Sequence, residues 1–240
     1  MTAADTAPPA VAVESLTYAY PDGTRALDGL ELAVAAEERV ALLGANGAGK
    51  STLLLHLNGI LACSPQVKIL GLTVEKRNLR EIRRRVGLVF QNPDDQLFCP
   101  TVYDDVAFGP RNLGLAEAEV RDRVRDSLDA VGFGEAGERT SFHLSVGQKK
   151  RVALASVLAM GCEVLVLDEP TSALDPRGRR ELIALLKRIG RTQLIATHDL
   201  DFVAQLCGRA VVLSRGQVVC DETPERVLGD PALLEAHGLA

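Results

Sequence analysis

Two spacings of apolar residues take turns along this chain: short alternating or continuous runs, and stretches where apolar residues recur every three or four positions. From Val11 to about Leu32 the runs are short and alternating, broken by YPDGTRALDG. Pro21-Asp22-Gly23 is turn chemistry, so this region predicts strands joined as a hairpin. RVALLG (39–44) reads as a buried strand ending in a Gly-rich turn, KSTLLLHLNGIL as a buried helix, and REIRRRVGLVF as a basic helix followed by a strand. From about Asn92 to Leu144 the character becomes helical. Val120, Val124, Leu128 and Val131 share one helix face, and Gly132 is the stop. The sheet pattern returns with the buried strand EVLVLDEP (163–170). In DPRGRRELIALLKRIG, Asp175 is placed as N-cap and Pro176 at the first helical position, with Leu182, Ile183, Leu186 and Ile189 inward and Gly190 at the end. QLIATH is a further buried strand, and AVVLSRGQVVC (210–220) a hairpin about Arg215-Gly216. Strands alternating with helices imply a largely parallel α/β sheet. Residues 1–10 read as a disordered tail.

Composition narrows the classes. The 240 residues, 47% of them hydrophobic and 25% charged, suffice for a large globular core. A net charge of -5 does not invite nucleic acid. The local basic run Lys76, Arg77, Arg80, Arg83, Arg84 and Arg85 reads as a solvated helix face. Five scattered cysteines without C-x-x-C spacing point to reduced thiols in a cytosolic protein, and four dispersed histidines offer no metal cage. The N-terminus lacks the features of a secretory leader. No apolar run approaches the ~18 residues of a membrane span, so work at a membrane requires another chain as anchor.

Candidate chemistry lies in two motifs. GANGAGKST (44–52) satisfies G-x-x-x-x-G-K-[ST] between a strand and a helix, the context that motif needs. Gly44, Asn46, Gly47 and Gly49 let backbone N–H groups close on a β-phosphate, and the following helix N-terminus adds its positive dipole end. Lys50 reaches the β- and γ-phosphates, the Ser51 hydroxyl ligates Mg²⁺, and Thr52 completes the loop. VLVLDE (164–169) puts acids at the end of a buried strand facing the same sheet edge. Asp168 is assigned to Mg²⁺ and Glu169 to polarising an attacking water.

LSVGQKKR (144–151) before the Asp168 strand, SALD (172–175) after it, His198 ending the next strand and Gln91 ending the one before the helical stretch complete an order of motifs. That order resembles the nucleotide-binding subunit of ABC transporters, over about Val11 to Leu228. The resemblance implies an α/β fold: a P-loop ABC-type ATPase with a RecA-like parallel-sheet core, an N-terminal antiparallel β-subdomain and an inserted helical subdomain at about 92–155, all one domain over 11–235. It implies that Tyr20 stacks on adenine and that Gln91 senses Mg²⁺ or the attacking water. His198 is the switch histidine at the γ-phosphate. Ser145 and Gly147 match signature residues that touch the γ-phosphate held by an opposing subunit, and Asp175 matches the D-loop acid. It also implies ATP and Mg²⁺ as ligands, a second ATP-binding subunit, membrane partners and no nucleic acid. One position departs from the family pattern Leu-Ser-Gly-Gly-Gln: Val146 stands at the third place, where a left-handed backbone would strain a β-branched residue by roughly 1–2 kcal/mol.

VGLVFQNPDDQLFCPTVYDDVAFGPRNLGL, LSVGQKKRVALASVLAM and LDPRGRRELIALL resemble, more narrowly, ATP-binding subunits of energy-coupling-factor importers, especially the cobalt and nickel branch. This implies a transmembrane coupling subunit, a substrate-binding membrane subunit and peripheral attachment at the cytoplasmic membrane face. Cobalt or nickel is the first cargo; biotin or another vitamin, or a non-transport ABC ATPase or regulator, remains open. On this resemblance FQNPDDQLFCP is a docking surface, with Leu97, Phe98 and Tyr103 as exposed apolar anchors and Asp94, Asp95, Asp104 and Asp105 as an acidic rim. The competing reading is a solvated turn.

Overall fold

A computed structural model describes residues 8–134 and 137–239. Residues 1–7 of the expected tail lie outside the described residues. Ala10 is fully buried and its carbonyl accepts from the Leu70 N–H, so packing begins inside the stretch read as tail.

The hairpin expected around Pro21-Asp22-Gly23 forms from β1 (Val11–Ala19) and β2 (Arg25–Val34). β3 (Arg39–Leu43) leads through the Gly-rich turn into α1 (Lys50–Leu57). α1 stops earlier than the apolar pattern suggests, because Gly59 takes φ 64° and leaves Ile60 exposed. β4 (Ser64–Ile69) and β5 (Leu72–Val74) follow, in a stretch the pattern leaves unassigned. α2 (Leu79–Arg85) and β6 (Val86–Val89) match the basic helix and strand. The helical stretch comprises α3 (Val102–Asn112), α4 (Glu117–Ala130) and α5 (Val146–Ala159). Val120, Val124, Leu128 and Val131 are buried on it, and Gly132 at φ 72° follows the last turn of α4. β7 (Val164–Asp168), α6 (Pro176–Arg188), β8 (Thr192–Ala196), α7 (Leu200–Leu206), β9 (Arg209–Ser214) and β10 (Gln217–Glu222) continue the alternation, before the short α8 (Pro224–Leu228) and α9 (Pro231–Ala236). Asp175 caps α6 by accepting from Gly178 N–H at 2.7 Å. Ile183 and Leu186 of α6 are buried, whereas Leu182 and Ile189 are only partly so.

Among the described residues the strands form two sheets. The order β2-β1-β4-β5 is antiparallel throughout. The order β10-β9-β3-β8-β7-β6 is parallel except for the β9–β10 hairpin. Both faces of the parallel sheet are covered. Ala41, Leu43, Leu165 and Leu167 pack with the helices α3 to α7, while Val40, Leu42, Val164 and Val166 pack with α1, α2 and the antiparallel sheet. That two-sided burial is why these strands read as unbroken apolar runs. Parallel pairing also brings the C-terminal ends of β3, β7 and β8 to one edge, where open α/β sheets form their ligand crevices.

FQNPDDQLFCP is neither a uniform turn nor the surface expected. Leu97 is buried in the core rather than exposed. Asp105 is also buried, and its Oδ1 accepts from the Phe98 and Cys99 N–H groups at 2.9 and 2.8 Å, so it organises the loop instead of lining a rim. Tyr103 is half-buried with the Arg111 guanidinium over its ring, and Arg111 also pairs with Asp104. Asp94 pairs with Lys149 at 2.6 Å. Phe98 alone of the three expected anchors is exposed. Its ring meets exposed Phe108 edge-on at 4.9 Å, and Phe142 stands out on the neighbouring turn, whose Ser141 hydroxyl donates to the Cys99 carbonyl.

Candidate functional site

The turn after β3 has to pass under two other segments, and two glycines make that possible. A Cβ on Gly44 would lie 2.4 Å from the Leu213 carbonyl of β9, and one on Gly49 would lie 2.6 Å from the Ala26 carbonyl of β2. Both also take positive φ. The β9–β10 turn braces the loop from outside, with Gly216 N–H donating to the Ala48 carbonyl. α1 then starts without a side-chain cap, so its first N–H groups remain for an anion. Lys50 Nζ donates to the Gly44 and Ala45 carbonyls at 2.6 and 3.1 Å, which folds the ammonium over the concave face of the loop.

Asp168 ends β7. Burial pushes its carboxyl above the usual range, while a hydrogen bond with Ser51 pulls it back. Its Oδ1 is buried with no protein partner. A buried carboxylate oxygen without a donor, beside a serine hydroxyl, is the donor set a hard divalent cation takes, so Mg²⁺ fits Asp168 and Ser51. Burial pushes the Lys50 ammonium down, against the opposing pull of Glu169 and Asp168.

Glu169 follows in the left-handed region at φ 44°. The register Asp168↔Ala196 between β7 and β8 sets it beside the residues after β8. Its Oε2 lies 3.0 Å from His198 Nδ1 and accepts from Thr197 Oγ1 at 3.3 Å. Tyr20 reaches the loop from the β1–β2 turn, its hydroxyl 3.0 Å from Thr52 Oγ1. Its ring is held edge-on by Tyr18, which in turn meets His56.

These groups share one cleft of about 410 Å³, lined by Tyr20, by the loop from Asn46 to Thr52, and by Gln91, Asp168, Glu169 and His198. A cavity of about 570 Å³ between α4–α5 and α6 is larger but lies away from the phosphate loop, and its lining is mainly aliphatic. The smaller cleft is the one that gathers Lys50, Asp168, Glu169 and His198. Gly44 lies at its back, under β9. Ser145, Gly147 and Asp175 do not line it. Ser145 caps α5 in a reciprocal box with Gln148, Gly147 sits in that helix's first turn against Leu174, and Asp175 caps α6. Val146 is the first residue of α5 and is absent from the left-handed region, so the expected strain does not exist. Val146→Gly is therefore expected to lower stability by about 0.4 kcal/mol, the difference in helix propensity, with no gain in turnover. Thermal unfolding and steady-state ATPase rates test this; a several-fold faster variant would reinstate strain as the explanation.

Sequence reasoning passed over Thr24, Arg25 and Ala26, which also line the cleft, and Thr197 and Lys150, which touch Glu169. Thr197 is adjacent to His198 in IATHD. Lys150 stands in the quoted QKKR, where nothing separates it from Lys149.

The chain matches a family described as ABC transporter over residues 27–172. It is 55% identical to a putative ABC transporter ATP-binding protein of Gloeobacter violaceus, covering 95% of this chain and 94% of that protein. It is 50% identical to the energy-coupling factor transporter ATP-binding protein EcfA of Carboxydothermus hydrogenoformans, over 96% of this chain and 86% of that protein. Among solved structures, cbiO1 from Clostridium perfringens, part of the ABC transporter complex cbiONQ, superposes with TM-score 0.83 at 40% identity, covering 97% of this chain and 95% of that one.

Proposed function

Since the chain belongs to the ABC transporter family, whose ATPases couple ATP hydrolysis to transport, we propose that it is the ATP-hydrolysing subunit of an energy-coupling-factor type importer for cobalt or nickel ions. The convergence of Lys50, Asp168, Glu169 and His198 on one cleft carries the enzymatic half of this reading. The cargo half rests on the resemblance of the Val86–Leu115 region to the cobalt and nickel branch, supported by the likeness to a cbiONQ subunit.

In this reading the N–H groups of the loop and of the first turn of α1 hold the phosphates, with Lys50 at the β- and γ-phosphates. Asp168, Ser51 and Gln91 hold Mg²⁺, which neutralises charge on the transferred group. Glu169 takes the proton of the attacking water. His198, with Nδ1 on Glu169, has Nε2 available for the terminal phosphate. Tyr20 stacks on the base. Ser145, Gly147 and Asp175, which stand outside the cleft of their own chain, reach nucleotide held by a second copy or a paralogue. Residues 11–235 act as one ATPase domain with 92–155 as its helical subdomain. The subunit sits at the cytoplasmic membrane face, held by a transmembrane coupling subunit and a substrate-binding membrane subunit.

The contact with those membrane chains runs through Phe98 and Phe108, whose paired exposed rings suit a hot spot, with Phe142 beside them. The joint change of Phe98 and Phe108 to Ala is expected to leave ATP binding by the isolated subunit intact and to cut recovery of the membrane chains on co-purification by about tenfold, as for loss of a hot spot. Elemental analysis of the wild-type assembly then reads the cargo. Wild-type co-purification by the double variant would return the loop to an ordinary surface turn, and a retained vitamin in place of a metal would overturn the cargo.

A further inference from the structure

Lys150 lies in the first half of α5, five residues after Ser145, yet its ammonium is buried. It crosses to the loop after β7. Nζ donates to the main-chain carbonyl of Glu169 at 2.7 Å and to Ser172 Oγ at 2.5 Å. Ser172 Oγ donates to the same carbonyl at 3.0 Å, and Ser172 N–H at 3.2 Å. On its other side, Glu169 N–H donates to the Ala196 carbonyl at 2.9 Å. Both peptide groups of Glu169 are thus pinned, around a residue at φ 44°.

That backbone is unfavourable for an L-residue with a long side chain, and it persists only where its surroundings over-determine it. It is also what turns the Glu169 carboxylate toward Thr197 and His198 rather than along the strand. A buried ammonium is costly, and burial pushes Lys150 down to about 8 despite the pull of Glu169 and Asp168. A structural lysine could satisfy its charge at the surface, as neighbouring Lys149 does on Asp94.

From this geometry we infer that Lys150 is a positioning residue for hydrolysis: it ties α5, the helix that Ser145 caps, to the backbone of Glu169 and holds the carboxylate at its working angle. The inference rests on Glu169 being the base. It also makes α5 a mechanical link, because any tilt of that helix is transmitted to the Glu169 carbonyl through a single side chain.

The test uses the subunit purified with the membrane chains that accompany it. Lys150→Met keeps the apolar stem and removes the donor. It is expected to lower kcat about tenfold while ATP affinity stays within about twofold, a split that general loss of structure would not give. Lys150→Arg, which keeps charge and donors, is expected to recover most of the rate. Ser172→Ala removes the second side-chain donor to the same carbonyl and is expected to lower kcat about threefold, which tests the link even if the methionine variant folds poorly. In a Glu169→Gln background, measured by single turnover, Lys150→Met should add less than about twofold, since both act through one group. An unchanged kcat in Lys150→Met and Ser172→Ala, or a full tenfold loss in the Glu169→Gln background, overturns the inference. Near-normal hydrolysis by Glu169→Gln alone would instead overturn the base assignment beneath it.

Discussion

Glu169→Gln lowers ATP turnover by about 10²-fold or more and leaves ATP affinity within about twofold. The amide matches the carboxylate in shape, and Nδ1 of His198 and Oγ1 of Thr197 can still be met at the present 3.0 and 3.3 Å. What disappears, on the proposed role of Glu169, is the basic oxygen that would accept the proton of the attacking water. Affinity is spared because, in the proposed reading, the groups that hold the phosphates come from a different segment, the loop from Gly44 to Thr52. Removing one negative charge beside the phosphates, if it changes affinity at all, favours the anion. With nucleotide bound and not consumed, the variant is expected to run as an ATP-dependent dimer on size exclusion, while the wild type does so only briefly. Turnover near the wild-type rate would take Glu169 out of the chemistry and move the base to another group.

Lys50→Met is expected to lose affinity as well as turnover. ATP affinity is expected to fall by about 10- to 150-fold, the worth of a charged hydrogen bond of about 1.5–3 kcal/mol, and turnover to become undetectable. Methionine retains the stem that packs at the start of α1, where Lys50 is buried, so the fold is kept. The ammonium is held at the loop by the Gly44 and Ala45 carbonyls and by the charges of Asp168 and Glu169, which oppose the cost of its burial. Its removal takes away the ammonium that folds over the concave face of the loop. Titration with a fluorescent nucleotide measures the change directly. Unaltered affinity would mean that the loop binds phosphate through its backbone alone. Both changes abolish or nearly abolish turnover, but only Lys50→Met lowers affinity, so nucleotide titration of the pair separates chemistry from capture within one cleft.

Local chemistry was enough for the Gly-rich turn before α1, the acid-ended strand β7 and the helix α6, though not for β4, β5 or the end of α1. A strand, a run of glycines and a helix start lie within a dozen residues in GANGAGKST, and the packing that forces Gly44 and Gly49 is recorded in the residue type itself. Asp175-Pro176 likewise announced α6, because an N-cap needs only its own helix. The parallel sheet was visible because burial on both faces leaves an unbroken apolar run.

Other features depend on neighbours distant in the chain. Val146 was read as strained because the family pattern places glycine there, but its backbone is set by the helix that begins at it. Leu97 and Phe98 are adjacent in a loop without a period, and only the packing of α3 and α5 decides that one is core and the other exposed. Asp105 looks like a surface acid until the chain folds back to present two N–H groups to it. Lys149 and Lys150 are identical in sequence terms. Successive helical residues are rotated by about 100°, so one reaches Asp94 at the surface and the other the Glu169 carbonyl in the interior. The meeting of Glu169 with His198 follows from the β7–β8 register. Residue types and short spacings therefore determined which motifs this chain carries; the register of parallel strands and the rotation of α5 determined which of their side chains meet, because those are set by contacts between segments that no local pattern records.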